Sequence, residues 1–165
     1  MSNIIGVGNA PCSWGVLEFD LEGNAPGYER VLEEMTASGY TGTELGDWGF
    51  MPTEPDALKR VLEDHQLSML GAFVPVALGN LEALHPGRKT ALETARLLAA
   101  VSDESPVIVL SDQNGTEPTR TQNAGRILPS MAFTETQWET AAHAANQIAL
   151  SVYEETGLHT VFHPH

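Results

Sequence analysis

Short apolar runs alternate with helical patterns along the whole chain. Five runs are rich in strand-forming residues, and they lie at residues 4–8, 40–45, 67–76, 107–110 and 159–165. They carry almost no charge on either face until their ends. This pattern predicts a parallel sheet covered by helices, because a sheet with one face in water alternates apolar and polar residues.

Two helices in the first half of the chain have clear start and stop signals. One opens at residues 26–28, carries apolar residues at helical spacing and reaches Gly39 where a C-cap glycine belongs. The next is predicted to be capped by Thr53, with Pro55 in its first turn. Both helices are therefore expected to be crossovers between neighbouring strands.

The second half repeats this alternation. Residues 88–101 form a strongly helical run, and Thr134 with Gln137 makes a capping box for a long final helix. A polar loop at residues 112–133 is expected between the fourth strand and that helix. Pro75 lacks an N–H and is predicted to end the pairing of the third strand.

Two architectures fit this β-α-β-α-β-α-β-α-β order. One is a five-stranded doubly wound domain, and the other is the first five units of an eight-stranded (β/α)8 TIM barrel, which needs about 250 residues. A doubly wound domain normally ends with a helix over its last strand, whereas this sequence stops at a strand. We therefore expect residues 1–165 to form one partial TIM-barrel domain.

Composition narrows the class of function. The chain has 22 acidic and 8 basic side chains, so its net charge of -14 argues against nucleic-acid or anionic-membrane binding through a basic face. No apolar run is long enough to cross a membrane, and no export signal marks the N-terminus. The single cysteine, Cys12, fits a reducing compartment. A cytoplasmic location is expected.

Glu44 is the sharpest functional signal. It ends a strand that is otherwise free of charge, and Gly42 and Gly46 at i±2 are expected to leave room for a ligand beside its carboxylate. The carboxyl ends of parallel strands are where α/β proteins usually do their chemistry. Such an acid can serve as general base, metal ligand or hydroxyl acceptor, and the alternative is a helix cap or an arginine partner.

Two of the final three residues are histidines. On a strand, His163 and His165 share a face, and neutral imidazole suits a divalent metal ion. Hydrogen bonding in a core or loop is the alternative explanation, and two imidazoles do not complete a site. His159 has the same parity but lies about 13 Å from His163 along an extended strand, so it cannot bind the same ion.

A polar rim follows the first strand. Asn9 and Ser13 can bond a polyol and Trp14 can stack on its apolar face, although a packed loop tryptophan explains Trp14 equally well. Residues 6–11 superficially suggest a dinucleotide-binding loop. Pro11 occupies the last position of that motif and no helix follows at once, so we reject nucleotide binding.

A second polar rim follows the fourth strand. Asp112 and Asn114 come directly after it, and the loop beyond carries Arg120 and Arg126. Because arginines are scarce in this chain, two of them on one loop can clamp a phosphate, carboxylate or polyol. Each residue alone is also explained as part of a solvated surface.

With these residues in hand, the chain resembles the sugar phosphate isomerase/epimerase superfamily, the xylose-isomerase-like TIM barrels. Within that superfamily the likeness is closest to inosose-dehydratase-type proteins. The matching segments are residues 9–15 (NAPCSWG), 39–46 (GYTGTELG), 124–126 (AGR) and 162–165 (FHPH).

The resemblance implies a barrel with a divalent metal ion at its C-terminal face, acting on sugars or cyclitols. Proton abstraction next to a carbonyl would lead to isomerisation, epimerisation or loss of water. Glu44 would be the substrate-side acid or base, and His163 and His165 would bind metal where many relatives have a glutamate. The residues expected to bind substrate are Asn9, Ser13, Trp14, Asp112, Asn114 and Arg126.

Two other functions remain open from the sequence. One is a non-catalytic half barrel that self-associates or pairs with a partner through the open edge of its fifth strand. The other is a complete five-stranded domain that binds a small polar ligand.

Overall fold

A computed structural model describes residues 6–16, 26–113, 118–126 and 128–164. The strands are β1 (Gly8–Asn9), β2 (Gly42–Glu44), β3 (Ser68–Val76), β4 (Val107–Asp112) and β5 (Thr160–His163). The α-helices are α1 (Tyr28–Ala37), α2 (Pro55–His65), α3 (Leu84–Val101), α4 (Pro118–Gln122) and α5 (Glu135–Thr156). Single 3-10 turns lie at Pro11–Trp14, Leu81–Ala83 and Pro129–Met131.

The strands pair in parallel and in chain order, β1-β2-β3-β4-β5. A doubly wound sheet reverses direction partway through its strand order, and this sheet does not. Successive right-handed crossovers in one direction place their helices on one face, as in a TIM barrel. The strand order therefore excludes the doubly wound alternative.

The main core lies between the sheet and this helical layer. Its largest fully buried side chains come from strands and helices alike and include Leu32, Met35, Leu58, Met69, Leu98, Ile108, Leu110 and Ile148. Burying each such side chain stabilises the fold by about 1.5–3 kcal/mol. No helix in the described part of the chain is long and apolar enough to span a membrane.

Local signals placed most helix ends correctly. The capping box of α5 forms as predicted, with the Thr134 side chain accepting the Gln137 N–H. The predicted cap of α2 is wrong, because Glu54 rather than Thr53 precedes the first helical residue. Its carboxylate accepts the Ala57 N–H at 3.0 Å. A cap must stand directly before the helix to reach that N–H.

The third helix begins earlier than predicted, at Leu84 rather than at residue 88. Pro86 lies in its first turn, where the missing N–H costs nothing because the first four N–H groups of a helix have no intrahelical acceptor. The predicted loop at residues 112–133 contains α4 and a 3-10 turn. Of the first predicted strand, residues 4 and 5 lie outside the described residues.

Pro75 does not end the pairing of β3 with β4, which continues through Val76 opposite Asp112. Leu45 donates its N–H to the Gly71 carbonyl, so the backbone N–H and C=O groups of Gly71, and of every second residue of β3 after it, point towards β2. Pro75, four residues further on, shares that parity. An N–H at position 75 would point towards β2, which has already ended there. Proline therefore leaves the hydrogen bonds between β3 and β4 intact.

Candidate functional site

Glu44 lies at the carboxyl end of β2, partly buried, on the sheet face opposite the helices, which we call the inner face. Gly42 shares this face two residues earlier, and the Leu70 side chain of β3 fills the space above it. A Cβ on Gly42 would meet Leu70 at 2.7 Å. The expectation that Gly42 leaves room for a ligand is therefore wrong, because the glycine instead lets Leu70 form an apolar floor beneath the carboxylate.

Gly46 serves a second packing role next to Glu44. Its φ of 73° favours glycine, and a Cβ there would lie 3.1 Å from Pro11 and 3.2 Å from Phe50. The turn after β2 is thus held against the β1 loop rather than opened for a ligand, which contradicts the sequence-based expectation for Gly46 as well.

His163, the last residue of β5, approaches Glu44 closely enough for its charge to act on the carboxyl. The Phe73 ring of β3 meets the His163 ring edge-on, with centroids 6.3 Å apart and planes at 77°. On the neighbouring strand, the buried Ser111 hydroxyl donates to the His163 carbonyl at 2.9 Å. Contacts from β3 and β4 therefore fix His163 at this end of the sheet.

Burial raises the pKa of the Glu44 carboxyl above its ordinary value, and the nearby His163 offsets part of that rise. Burial also raises the pKa of Asp47, in the turn after β2. A carboxyl whose pKa moves towards neutrality is better suited to give and take protons than one on the open surface. Acid–base chemistry at this end of the sheet would be favoured by these raised pKa values.

The β1 rim is organised by hydrogen bonds within the chain. The Asn9 side-chain oxygen accepts the Ala10 N–H and the Ser13 hydroxyl, both at 2.8 Å. Trp14 donates its indole N–H to Glu34 of α1 at 2.8 Å and packs edge-on against Tyr40. These are the contacts of a packed loop tryptophan, so a ligand could use only the ring face of Trp14.

The β4 rim is clamped by Asp112. One carboxylate oxygen accepts the Leu78 N–H at 2.9 Å, from the loop after β3, and the other pairs with Arg120 of α4. The Arg120 guanidinium lies 4.4 Å from the centroid of the Phe133 ring, just before α5. Asp112 thus joins two rim loops. The sequence indicated Asp112 and Arg120 separately but not their pairing.

Two predicted site residues, Asn114 and His165, lie outside the described residues. Arg126 is exposed and donates to the Gln122 carbonyl at 3.4 Å. The structure thus places Glu44 and His163 at the carboxyl ends of β2 and β5, within reach of each other's charge, and the other described candidates on the surrounding rims.

The Glu44 carboxylate and the His163 imidazole are donor types that divalent transition metals accept. Catalytic zinc sites, for comparison, usually have three protein ligands. Within the described ranges, no group of three or more His, Cys, Asp or Glu side chains is placed to hold an ion. The two donors therefore fit a metal in chemistry and make up only part of a site.

Phe73 and Ser111 were missed from the sequence. Phe73 lies on the predicted third strand, so alternation alone could have placed it on a face, whereas Ser111 lies just beyond the predicted fourth strand, which the structure extends to Asp112. Their contacts with His163 depend on strand register, with Ser111 directly opposite His163 across the β4–β5 pair.

No protein-family model matches the chain. An inosose dehydratase of Bacillus cereus (strain AH820) is 24% identical over 163 residues, which cover 99% of this chain and 52% of that protein. The inosose dehydratase of Geobacillus kaustophilus (strain HTA426) is 24% identical over 161 residues, covering 96% and 50% of the two chains. The chain is therefore distantly homologous to inosose dehydratases over almost all its length, as its sequence motifs predicted.

A solved structure, that of 3-keto-D-glucoside 4-epimerase from E. coli, matches with a TM-score of 0.62 at 17% identity. The match covers 95% of this chain and 54% of the epimerase. The five parallel strands and the helices between them thus correspond to about half of a TIM-barrel epimerase, which confirms the predicted fold. The chain likewise spans about half the length of the curated relatives it matches.

Proposed function

Taking this distant homology as the premise, we propose that the chain forms the β1–β5 part of a metal-dependent sugar or cyclitol isomerase, epimerase or dehydratase. The observation that carries the proposal is the partly buried Glu44 carboxyl at the carboxyl end of β2, with His163 at the carboxyl end of β5 near enough for its charge to act on that carboxyl. The names of the relatives, one a dehydratase and the other a keto-glucoside epimerase, support the class of reaction.

Glu44 is proposed to move the proton on the carbon next to a substrate carbonyl. Leu70 lies on the inner face next to Gly42, and the Phe73 ring packs against His163, so apolar side chains border this part of the site. Burial holds the pKa of Glu44 high, so the carboxyl keeps a proton that it has taken up more readily than an exposed carboxyl would.

His163 and His165 are proposed as the first ligands of a divalent metal ion. When bound, such an ion polarises the carbonyl oxygen and acidifies the neighbouring C–H. Asn9, Ser13, Asn114 and Arg126 are proposed to bind substrate hydroxyls, with the ring face of Trp14 packing on the sugar. Asp112 would contact substrate only by breaking its hydrogen bond with the Leu78 N–H or its ion pair with Arg120.

Hydrogen–deuterium exchange tests this proposal. The protein, purified in the assembly it forms, is incubated in D2O with Mn²⁺ and a panel of keto sugars and ketocyclitols, and NMR follows loss of the proton beside the carbonyl. Glu44→Gln should slow the exchange by about 100-fold or more. The matched control Glu33→Gln, on an exposed face of α1, should leave it unchanged. Exchange that survives Glu44→Gln would overturn the role of Glu44.

A second candidate function is the non-catalytic half barrel that pairs with a partner. Exposed apolar side chains favour it, since Val7 is 52%, Leu70 39% and Val161 44% exposed. In that case no member of the substrate panel would exchange its proton, while the chain would still associate.

A further inference from the structure

A tight turn after β2 carries two side chains that have no role in the proposed proton transfer, Asp47 and Trp48. The Phe50 N–H closes the turn by donating to the Asp47 carbonyl at 2.9 Å. Gly49 stands at the third position of the turn with a φ of 94°, a conformation that favours glycine. Trp48 therefore has a defined place in a tight turn, four residues after Glu44.

The core holds this turn at both ends. Leu45 before it and Met51 after it are each 2% exposed. Phe50 packs against the same core, and a Cβ on Gly46 would meet the Phe50 ring at 3.2 Å. A turn held in this way does not have to be ordered when a ligand binds, which saves part of the entropy that binding costs.

The turn also lies away from the ends of the sheet. Its strand, β2, pairs with β1 on one side and with β3 on the other. The surface that the turn presents is therefore not the open edge of β5.

Trp48 differs from the other two tryptophans of the chain. Trp14 donates its indole N–H to Glu34, and the Trp138 ring packs edge-on against Phe133 with centroids 5.3 Å apart. Trp48 is 52% exposed and makes neither kind of contact with another described residue. Its indole therefore offers a flat apolar face and an N–H donor to a ligand.

Asp47 provides a polar group next to this ring. Its carboxyl is partly buried, and burial raises its pKa above the ordinary value. Among the residues that the structure describes, none forms an ion pair with this carboxyl or donates a hydrogen bond to it. A partly buried carboxylate without a donor gains from hydroxyl groups that a ligand brings to it.

These two side chains together suit a ring that carries hydroxyl groups. An indole face packs well on the C–H face of such a ring, whereas an open-chain polyol presents no comparable face. A carboxylate has two oxygens and can accept hydrogen bonds from two neighbouring hydroxyls. The Trp48 Cα is at most about 14 Å from the Glu44 Cα along the chain, so a ligand held by the turn stays at the same end of the sheet.

We propose that Asp47 and Trp48 form a subsite that selects the cyclic form of a sugar or a cyclitol. The indole packs on the C–H face of the ring, and the carboxylate accepts two neighbouring hydroxyls. This subsite rests on the proposed function, because it defines the substrate on which Glu44 is proposed to act. Both residues bind the ring and leave the proton transfer to Glu44.

Titration with two matched polyols tests the subsite. The ring is myo-inositol and the open chain is sorbitol, which has the same number of carbons and hydroxyls. Neither compound has a carbonyl group, so binding is measured without turnover. In nitrogen–proton correlation spectra of the purified protein, the Trp48 indole signal, assigned with Trp48→Phe, should move with myo-inositol and stay in place with sorbitol. The Trp138 indole signal should stay in place with both.

Substitutions in the turn should change the affinity for the ring. Trp48→Ala and Asp47→Asn should each raise the dissociation constant of myo-inositol about tenfold or more. Trp48→Phe keeps an aromatic face and should stay within about threefold of the wild type. The matched control Trp138→Ala removes a tryptophan that is 58% exposed on α5 and should leave the constant unchanged.

Three results would overturn the subsite: a wild-type chain that does not bind myo-inositol, one that binds both polyols equally, and a Trp48→Ala or Asp47→Asn variant that binds as the wild type does. The proton-exchange assay keeps this outcome separate from the role of Glu44. If exchange depends on Glu44 and the titration fails, the subsite alone is wrong. If ring binding depends on Asp47 and Trp48 and no substrate exchanges its proton, the proposed reaction alone is wrong.

Discussion

The carboxyl of Glu44 lies within electrostatic reach of His163, although the strands that carry them, β2 and β5, are separated in the sheet by β3 and β4. Both residues end their strands and lie on the face without helices. Side chains three strands apart can meet on one face when the sheet curves around that face, as it does in a barrel. The site is thus a consequence of the curved, sequentially ordered sheet.

Glu44→Gln should stabilise the fold at neutral and alkaline pH. Because burial raises the pKa of Glu44, the folded chain binds this proton more tightly than the unfolded chain does. The associated stability is present at low pH and is lost as the pH rises through the raised pKa. Urea unfolding in a series from about pH 4 upwards should show the advantage of the variant growing as the Glu44 carboxyl ionises and then levelling off. Glu33→Gln should show no such trend.

His163→Gln should raise the pKa of Glu44 further. The charge of His163 is the one identified influence that lowers this pKa, against the opposing effect of burial. Carbon NMR of the labelled glutamate carboxyl should show its titration moving to higher pH in the variant. His143→Gln, which removes a histidine from α5, should leave the titration in place. A shift to lower pH in His163→Gln would contradict the arrangement.

Asp112→Ala should destabilise the rim. The change removes the carboxylate that accepts the N–H of the buried Leu78 and that pairs with the partly exposed Arg120. Leaving the N–H of the buried Leu78 without its acceptor costs about 1–3 kcal/mol of the free energy of unfolding. Arg126→Ala, at an exposed site on the same loop, should change that free energy by less than about 0.5 kcal/mol. Equal effects of the two changes would contradict the clamp.

Two neighbouring substitutions separate the predicted from the observed cap of α2. Glu54→Ala removes the acceptor of the Ala57 N–H and should cost about 1 kcal/mol in thermal or urea unfolding. Thr53→Ala should cost less than about 0.5 kcal/mol. The reverse order would restore the prediction made from the sequence.

Leu98→Ala tests the core beneath α3. Leu98 is fully buried between the helical layer and the sheet, so the cavity left by the substitution should cost about 2–5 kcal/mol. Leu81→Ala removes the same atoms from a side chain that is 67% exposed and should have little effect on the unfolding midpoint. Similar losses in both variants would show that this layer is not the main core.

The sequence by itself determined the elements whose signals are local. Helix periodicity, the capping box at Thr134 and the C-terminal glycine at Gly39 act over a few residues, and the structure contains all of them. Glu44 could be singled out because a charge at the end of an apolar strand is visible without any partner. The predicted cap at Thr53 was wrong by one residue. The predicted end of pairing at Pro75 was wrong because the sequence does not show which neighbouring strand that residue faces.

Only the tertiary structure decided which distant residues meet. Strand order excluded the doubly wound sheet, and register placed Ser111 opposite His163. The pairing of Asp112 with Leu78 and Arg120 joins loops that no local pattern connects. These contacts form because parallel strands bring their carboxyl ends to one edge of the sheet, whatever the length of chain between them. The number of residues between two positions therefore does not show how close they lie in space.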